Sequence, residues 1–195
     1  FFPVNRFQDF KQTSHELQLS SASDGPLSYV AGLYYLEADS FITSGPIQPF
    51  TVNHEAEAQA LYGELTYDFA NDWSVTLGAR YTDEDKQMES YSWPPVVGDA
   101  DRIANNTDPS VLQMYATPSF SDDNITYRAV LQKEFSKGMG YISYSTGFRS
   151  GGFFNRGTTP SEVAPYQSEE VESIEIGLRT NPTENTQFNI TYFNA

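Results

Sequence analysis

Along this chain the spacing of apolar residues keeps returning to two. From Trp73, the residues Trp73, Val75, Leu77, Ala79 and Tyr81 fall on one side of an extended backbone, and Ser74, Thr76, Gly78, Arg80 and Thr82 on the other. Leu61, Gly63, Leu65, Tyr67 and Phe69 alternate in the same way with Tyr62, Glu64, Thr66 and Asp68. Ile174, Ile176 and Leu178 alternate with Ser173, Glu175, Gly177 and Arg179, and Phe188, Ile190 and Tyr192 with Gln187, Asn189 and Thr191. Successive side chains of a strand point to opposite sides, so this period predicts strands with one apolar and one polar face. Segment 27–36 resists the reading, because Leu27, Tyr29, Leu33 and Tyr35 oppose Val30, Tyr34 and Leu36. Both sides carry bulk there, and its facing stays open.

Turn residues punctuate the pattern at Asp24-Gly25-Pro26, Ala70-Asn71-Asp72, Ser136-Lys137-Gly138 and Asn181-Pro182-Thr183, which predicts four tight hairpins. Between them lie longer Pro-, Gly-, Asn-, Asp- and Ser-rich stretches at 42–54, 92–118 and 150–167. The predicted strands are 11–22, 27–41, 55–69, 73–91, 120–135, 139–150, 168–180 and 186–195. Short turns thus alternate with long loops, the asymmetry of an outer-membrane barrel with short periplasmic turns and long extracellular loops. Several strands exceed the roughly 9–11 residues that cross a bilayer, so they are expected to run on into an extracellular wall. Phe69 with Trp73, and Phe135 with Tyr141, flank short turns where an aromatic girdle would meet the headgroups. The fold class expected is all-β: an antiparallel up-and-down transmembrane β-barrel segment of about eight strands.

Composition sharpens this picture. Aromatics make up 15% of 195 residues while mean hydropathy is −0.50, a combination expected when lipid-facing and water-facing sides average out. No run of about 18 apolar residues exists, which excludes a transmembrane helix and leaves a barrel untouched. A formal charge of −15 argues against a nucleic-acid partner, and the absence of cysteine excludes disulfides and thiolate metal sites. The chain opens at Phe1 without a signal-peptide pattern and stops within a strand-like run, so it is expected to be cut from something longer.

The segments Glu16-Leu17-Gln18-Leu19-Ser20-Ser21, Tyr29-Val30-Ala31-Gly32-Leu33-Tyr34-Tyr35 and Leu61-Tyr62-Gly63-Glu64-Leu65-Thr66-Tyr67 resemble barrel strands of TonB-dependent receptors. So do the runs Trp73–Thr82, Tyr141–Phe153 and Glu172–Arg179, which follow in the order usual for that family. The resemblance covers nearly the whole chain and implies a 22-stranded barrel with an N-terminal plug, of which residues 1–195 would be a middle-to-late part without the plug. It further implies a bacterial outer-membrane location beside lipopolysaccharide and coupling to TonB through the missing plug region. Uptake would be active, commonly of ferric siderophores, with haem, cobalamin and oligosaccharides as other cargo. A passive porin-type channel and a soluble β-sandwich or adhesin are the alternatives.

No enzyme is expected, because His15 and His54 lack any nucleophile or metal-protease context, and no cofactor is expected. Asp83, Glu84 and Asp85, with Asp122 and Asp123, lack the ordered spacing of a calcium loop and are read as a solvated rim rather than a metal site. Glu64, Arg80, Arg128, Glu134, Glu175 and Arg179 fall on polar faces, suiting a lumen network that meets a plug. Tyr91, Trp93, Phe148, Arg149, Phe153, Phe154 and Arg156 combine aromatic platforms and guanidinium groups near the expected mouth, suiting an aromatic or anionic chelate such as an iron complex.

Overall fold

A computed structural model of the chain describes residues 5–21, 25–45, 49–69, 72–94 and 111–195. Among the described residues nine strands form one antiparallel sheet: β1 (Asn5–Ser20), β2 (Leu27–Gly45), β3 (Phe50–Phe69), β4 (Trp73–Ser92), β5 (Met114–Ala116), β6 (Ser119–Phe135), β7 (Gly138–Arg149), β8 (Glu169–Thr183) and β9 (Thr186–Asn194). Eight of them follow one another in chain order, and the three-residue β5 adds to the far end of β4. This is the meander that the alternation predicts.

Residues directly opposite in a ladder share a face, so the register settles which side each belongs to. Tyr29 pairs with Leu65, Leu65 with Leu77 and Leu77 with Ala129; Leu33 pairs with Leu61 and Leu61 with Tyr81. The open segment 27–36 is thereby resolved, with Leu27, Tyr29, Leu33 and Tyr35 joining the apolar face and Val30, Tyr34 and Leu36 the polar one. The apolar band runs from Leu61 to Phe69 in β3. Nine residues at about 3.3 Å each, tilted about 40°, rise about 23 Å, close to the roughly 25 Å band of an outer-membrane barrel. Large side chains stand bare across it, Leu17 being 70%, Leu61 58% and Tyr192 66% exposed. A soluble sheet would cover such a face.

Four sequence expectations change. The stretch 42–54 is mostly strand, since β2 runs to Gly45 and β3 starts at Phe50; Ile42, Phe50 and Val52 carry the alternation onward and are buried. The hairpin at Asn181-Pro182-Thr183 turns later, at Glu184-Asn185, and the ladder shifts between Thr180 and Thr183, where Pro182 has no amide to give. Tyr141 belongs to the polar face, opposite Gln132 and Gly177, so it is no part of a lipid-facing girdle. Its position is three residues past Gly138, and an odd step reverses the face. The stretch 92–118 also gains β5.

Elsewhere the turns agree. Phe69 faces Trp73 across the second hairpin, where Asp72 takes a left-handed φ of 63°, and Phe135 pairs with Gly138 around Ser136-Lys137. Asp24, Ala70 and Asn71 lie outside the described residues, as do 46–48 and 95–110.

Candidate functional site

The polar face is built by side chains that lie flat across neighbouring strands, and glycines make the room. Gly32 stands between Gln18 and Tyr62 in the ladder, and a Cβ there would meet the Tyr62 ring at 2.5 Å. The ring therefore crosses β2, and its hydroxyl donates to the Glu16 carboxylate at 2.6 Å and accepts from the Gln18 amide at 3.2 Å. Arg80, opposite Tyr62, lays its guanidinium 5.4 Å from the Tyr34 ring centre and 5.7 Å from that of Tyr62, and its Nε donates to Thr82 at 3.0 Å. Two rings thus hold the cation in place while leaving the side chain its charge.

Glu64 uses Gly78 in the same manner. It reaches over that glycine to Arg128 at 2.8 Å. Farther along, the Tyr141 ring covers Gly177, its hydroxyl donates to Glu175, and Arg179 lies 5.6 Å above it. Glu134, opposite Met139, shares this face. All six polar-face charges read from the sequence, Glu64, Arg80, Arg128, Glu134, Glu175 and Arg179, are therefore on one side of one sheet. What the sequence reading lacked is the glycine beside Tyr62, Glu64 and Tyr141 in the ladder, which decides how far those three side chains reach.

The seven mouth candidates divide between two places. On the apolar-parity face, beyond the band, Tyr91 stacks on Trp93 at 6.1 Å and meets Tyr115 at 4.9 Å. Tyr91, Tyr115 and Asn53 all donate to the Glu89 carboxylate, at 2.7, 3.2 and 3.0 Å. Those bonds, the one from Tyr91 foremost, hold Glu89 below the usual carboxylate range, and the bond to Glu89 pushes the Tyr91 phenol up to about 12. Phe148 shares this parity, opposite Glu170.

Arg149 lies on the polar side, opposite Glu169, at the last pair of β7 with β8. Phe153, Phe154 and Arg156 belong to a lobe, residues 150–168, that folds onto the polar face. Phe153 meets His54 edge-on at 5.8 Å, whereas Phe154 and Arg156 point outward, Phe154 being 57% exposed. Val163 is completely buried among Ile42, Phe50, Val52, Met88 and Met114. His54 is held below the usual imidazole value by burial and then by the Lys86 charge. This lobe appears in the sequence only as a Gly- and Pro-containing stretch.

The acidic rim is also divided. Asp83 pairs with Asp123 on the apolar-parity face, and Glu84 with Asp122 on the polar face. Among the described residues no cluster of three or more His, Cys, Asp or Glu side chains could hold a metal ion. Above the apolar band the outer face turns acidic, with Glu37, Asp39, Glu55, Glu57 and Asp85 lining a groove with Gln87.

No curated protein matches the chain. It is similar in structure to the ferric yersiniabactin uptake receptor FyuA from Yersinia pestis, with a TM-score of 0.80 and 17% sequence identity; the likeness covers 97% of this chain and 29% of that one. The family model described as TonB dependent receptor-like, beta-barrel, matches residues 1–195. An apolar band of bilayer height, a polar face of crossing side chains and a match along its whole length together establish that this chain belongs to the TonB-dependent receptor β-barrel family.

Proposed function

We propose that these strands are part of the barrel wall of a bacterial outer-membrane receptor that takes up a scarce nutrient by TonB-coupled active transport, with a ferric siderophore as the cargo. The observation that carries the reading is the two-faced sheet itself: an apolar band of bilayer height behind a polar wall of held charges, in a chain of this family. The ferric chelate is suggested by the fold likeness to a receptor for ferric yersiniabactin uptake. Glu64, Arg80, Arg128, Glu134, Glu175 and Arg179 would meet a plug inside the barrel, outside these 195 residues. Tyr91, Trp93, Phe148, Arg149, Phe153, Phe154 and Arg156 would supply ring and guanidinium contacts at the mouth, where lipopolysaccharide surrounds the wall. A passive channel would also have a polar wall; the family match along residues 1–195 is what favours the coupled reading.

The test is siderophore uptake by cells grown under iron limitation. Deleting the gene should abolish uptake of one ⁵⁵Fe-labelled siderophore among a panel, and removing TonB should do the same. Uptake that persists without TonB would overturn the energy-coupled reading; uptake of no iron chelate would overturn the cargo.

A further inference from the structure

The ladder between β6 and β7 begins at Phe135 with Gly138 and stops at Arg128 with Ser145. Neither strand ends there. β6 continues to Ser119, paired with Gln87 of β4, and β7 continues to Arg149, paired with Glu169 of β8. Only the seam between them is open, crossed by the Tyr127 amide donating to Thr146 Oγ1 at 2.8 Å and by Asn124 Nδ2 donating to Glu170 at 2.6 Å.

The cause lies just past Arg149. There the chain leaves the seam and crosses the polar face of β6 to reach β4. Lys86 Nζ donates to Ser150 Oγ at 2.7 Å and to the Gly151 carbonyl at 2.9 Å. Its third partner, the Glu84 carboxylate, is 3.0 Å away at an angle too poor for a hydrogen bond. Gly151 rides over Phe120, and a Cβ there would stand 2.2 Å from the Tyr166 carbonyl and 2.5 Å from the Phe120 ring. Gly152 and Tyr166 exchange both backbone hydrogen bonds, closing the neck of the lobe, whose far side is anchored by buried Val163.

Continuing the β6–β7 register past Arg128 and Ser145 would set Asn124 opposite Arg149, Asp123 opposite Ser150 and Asp122 opposite Gly151. Ser150 and Gly151 are held one strand farther over, so they cannot fill those positions at the same time. The continued register would also bring Arg149 diagonal to Asp122 on the polar face, within reach of long side chains. Asp122 Oδ2 is at present buried with no hydrogen-bond partner. We propose that Lys86 is a latch between two states of residues 146–154: a seated state, in which the lobe fills the lumen side of β2–β4 and the seam is open, and a zipped state, in which these residues complete the β6–β7 ladder and the lobe is withdrawn.

The states are separable by cross-linking in the full-length receptor in outer membranes, with no ligand required. The pair His54→Cys with Phe153→Cys reports the seated lobe, and Asn124→Cys with Arg149→Cys reports the zipped seam. With Lys86 intact the first pair should oxidise and the second only weakly. Lys86→Met, which removes two charge-assisted donors, should shift the ratio toward the seam by on the order of tenfold. Gly151→Val attacks the seat from the other side and should move the ratio the same way, while heat-modifiable gel mobility verifies an intact barrel. An unchanged ratio in both variants, or a lost seat without a gain at the seam, overturns the latch. Because no uptake is measured, its failure leaves the transport reading standing.

Discussion

The assignment of the bare apolar face to lipid predicts a large penalty for one substitution, Leu77→Arg. Leu77 is central in the run Trp73, Val75, Leu77, Ala79, Tyr81, and its cross-strand neighbours on that face are Leu65 and Ala129. It lies at mid-height of a band about 23 Å tall by the strand rise used above. No acid is at hand, since Asp83, the next carboxylate up β4 on that face, is six residues and about 20 Å away. An arginine at the bilayer midplane costs about 2–4 kcal/mol, falling to about 0–1 near the interface. The matched control is Gln87→Arg, on the same face ten residues farther along, among Glu55 and Asp85. Reversible urea unfolding of the full-length receptor in phosphatidylcholine vesicles should show Leu77→Arg destabilised by about 2–4 kcal/mol and Gln87→Arg by less than about 1 kcal/mol. Equal effects at the two positions, or a Leu77→Arg cost under about 0.5 kcal/mol, would refute the lipid-facing assignment.

Gly32→Val should displace the Tyr62 ring, break its bond to Glu16 and loosen Arg80, costing about 1–3 kcal/mol in the same unfolding assay; Gly63→Val, on the apolar face with nothing closer than 3.7 Å, should cost less. Tyr91→Phe removes the leading donor to Glu89, so the Glu89 pKa should rise, and absorbance titration should show one fewer tyrosine ionising only near pH 12. His54 is held below 6.5 when the lobe is seated, with Ser40 and Met88 as its non-ionising ladder neighbours and Lys86 as the charge that acts on it. The unseated state therefore binds the proton first, so seating should be fully kept above pH 6.5 and weaken as pH falls below it. The seated fraction, read from a Met88→Cys and Val163→Cys pair normalised at each pH to a fixed cross-strand pair such as Leu65→Cys with Leu77→Cys, checks this; strengthening on acidification would contradict the sign.

Much of the sheet was legible because a barrel strand must solve a local problem. Each residue faces either lipid or lumen, so Trp73–Tyr81 and Leu61–Phe69 state their facing through alternation alone. Where that failed, in 27–36, the reason is physical. Tyr34 belongs to the polar face but is kept there as a platform for Arg80, and Val30 pairs with Glu64, so bulky residues occupy both faces and the period is hidden. Only the register, fixed by Leu61 and Leu65 across the ladder, restores it. Tyr141 misled for a related cause: an aromatic near a turn reads as a girdle, yet Gly177 opens a place for its ring on the lumen side.

The lobe was not legible at all, although nearly every residue that holds it is plain in the sequence. Gly151 and Gly152 mark a loop, and Lys86 marks a polar-face position, but nothing local ties Lys86 to Gly151 across 65 residues. The tie is made by geometry: Lys86 on β4 is opposite Phe120 on β6, and a chain leaving β7 on the polar side must pass over that ring to reach the ammonium. A side chain at 151 would block the passage, so the glycine that looks like turn punctuation is a clearance for a crossing. The same principle serves Gly32 and Gly78, where an absent Cβ lets a tyrosine or glutamate cross one strand to find its partner on the next, and at Gly177 it gives the Tyr141 ring room over β8, the strand that carries its partner Glu175. On this wall, a glycine such as Gly32, Gly78 or Gly177 at a polar-parity position determines how far the side chain beside it can reach, and such positions can be found from sequence once the register is known.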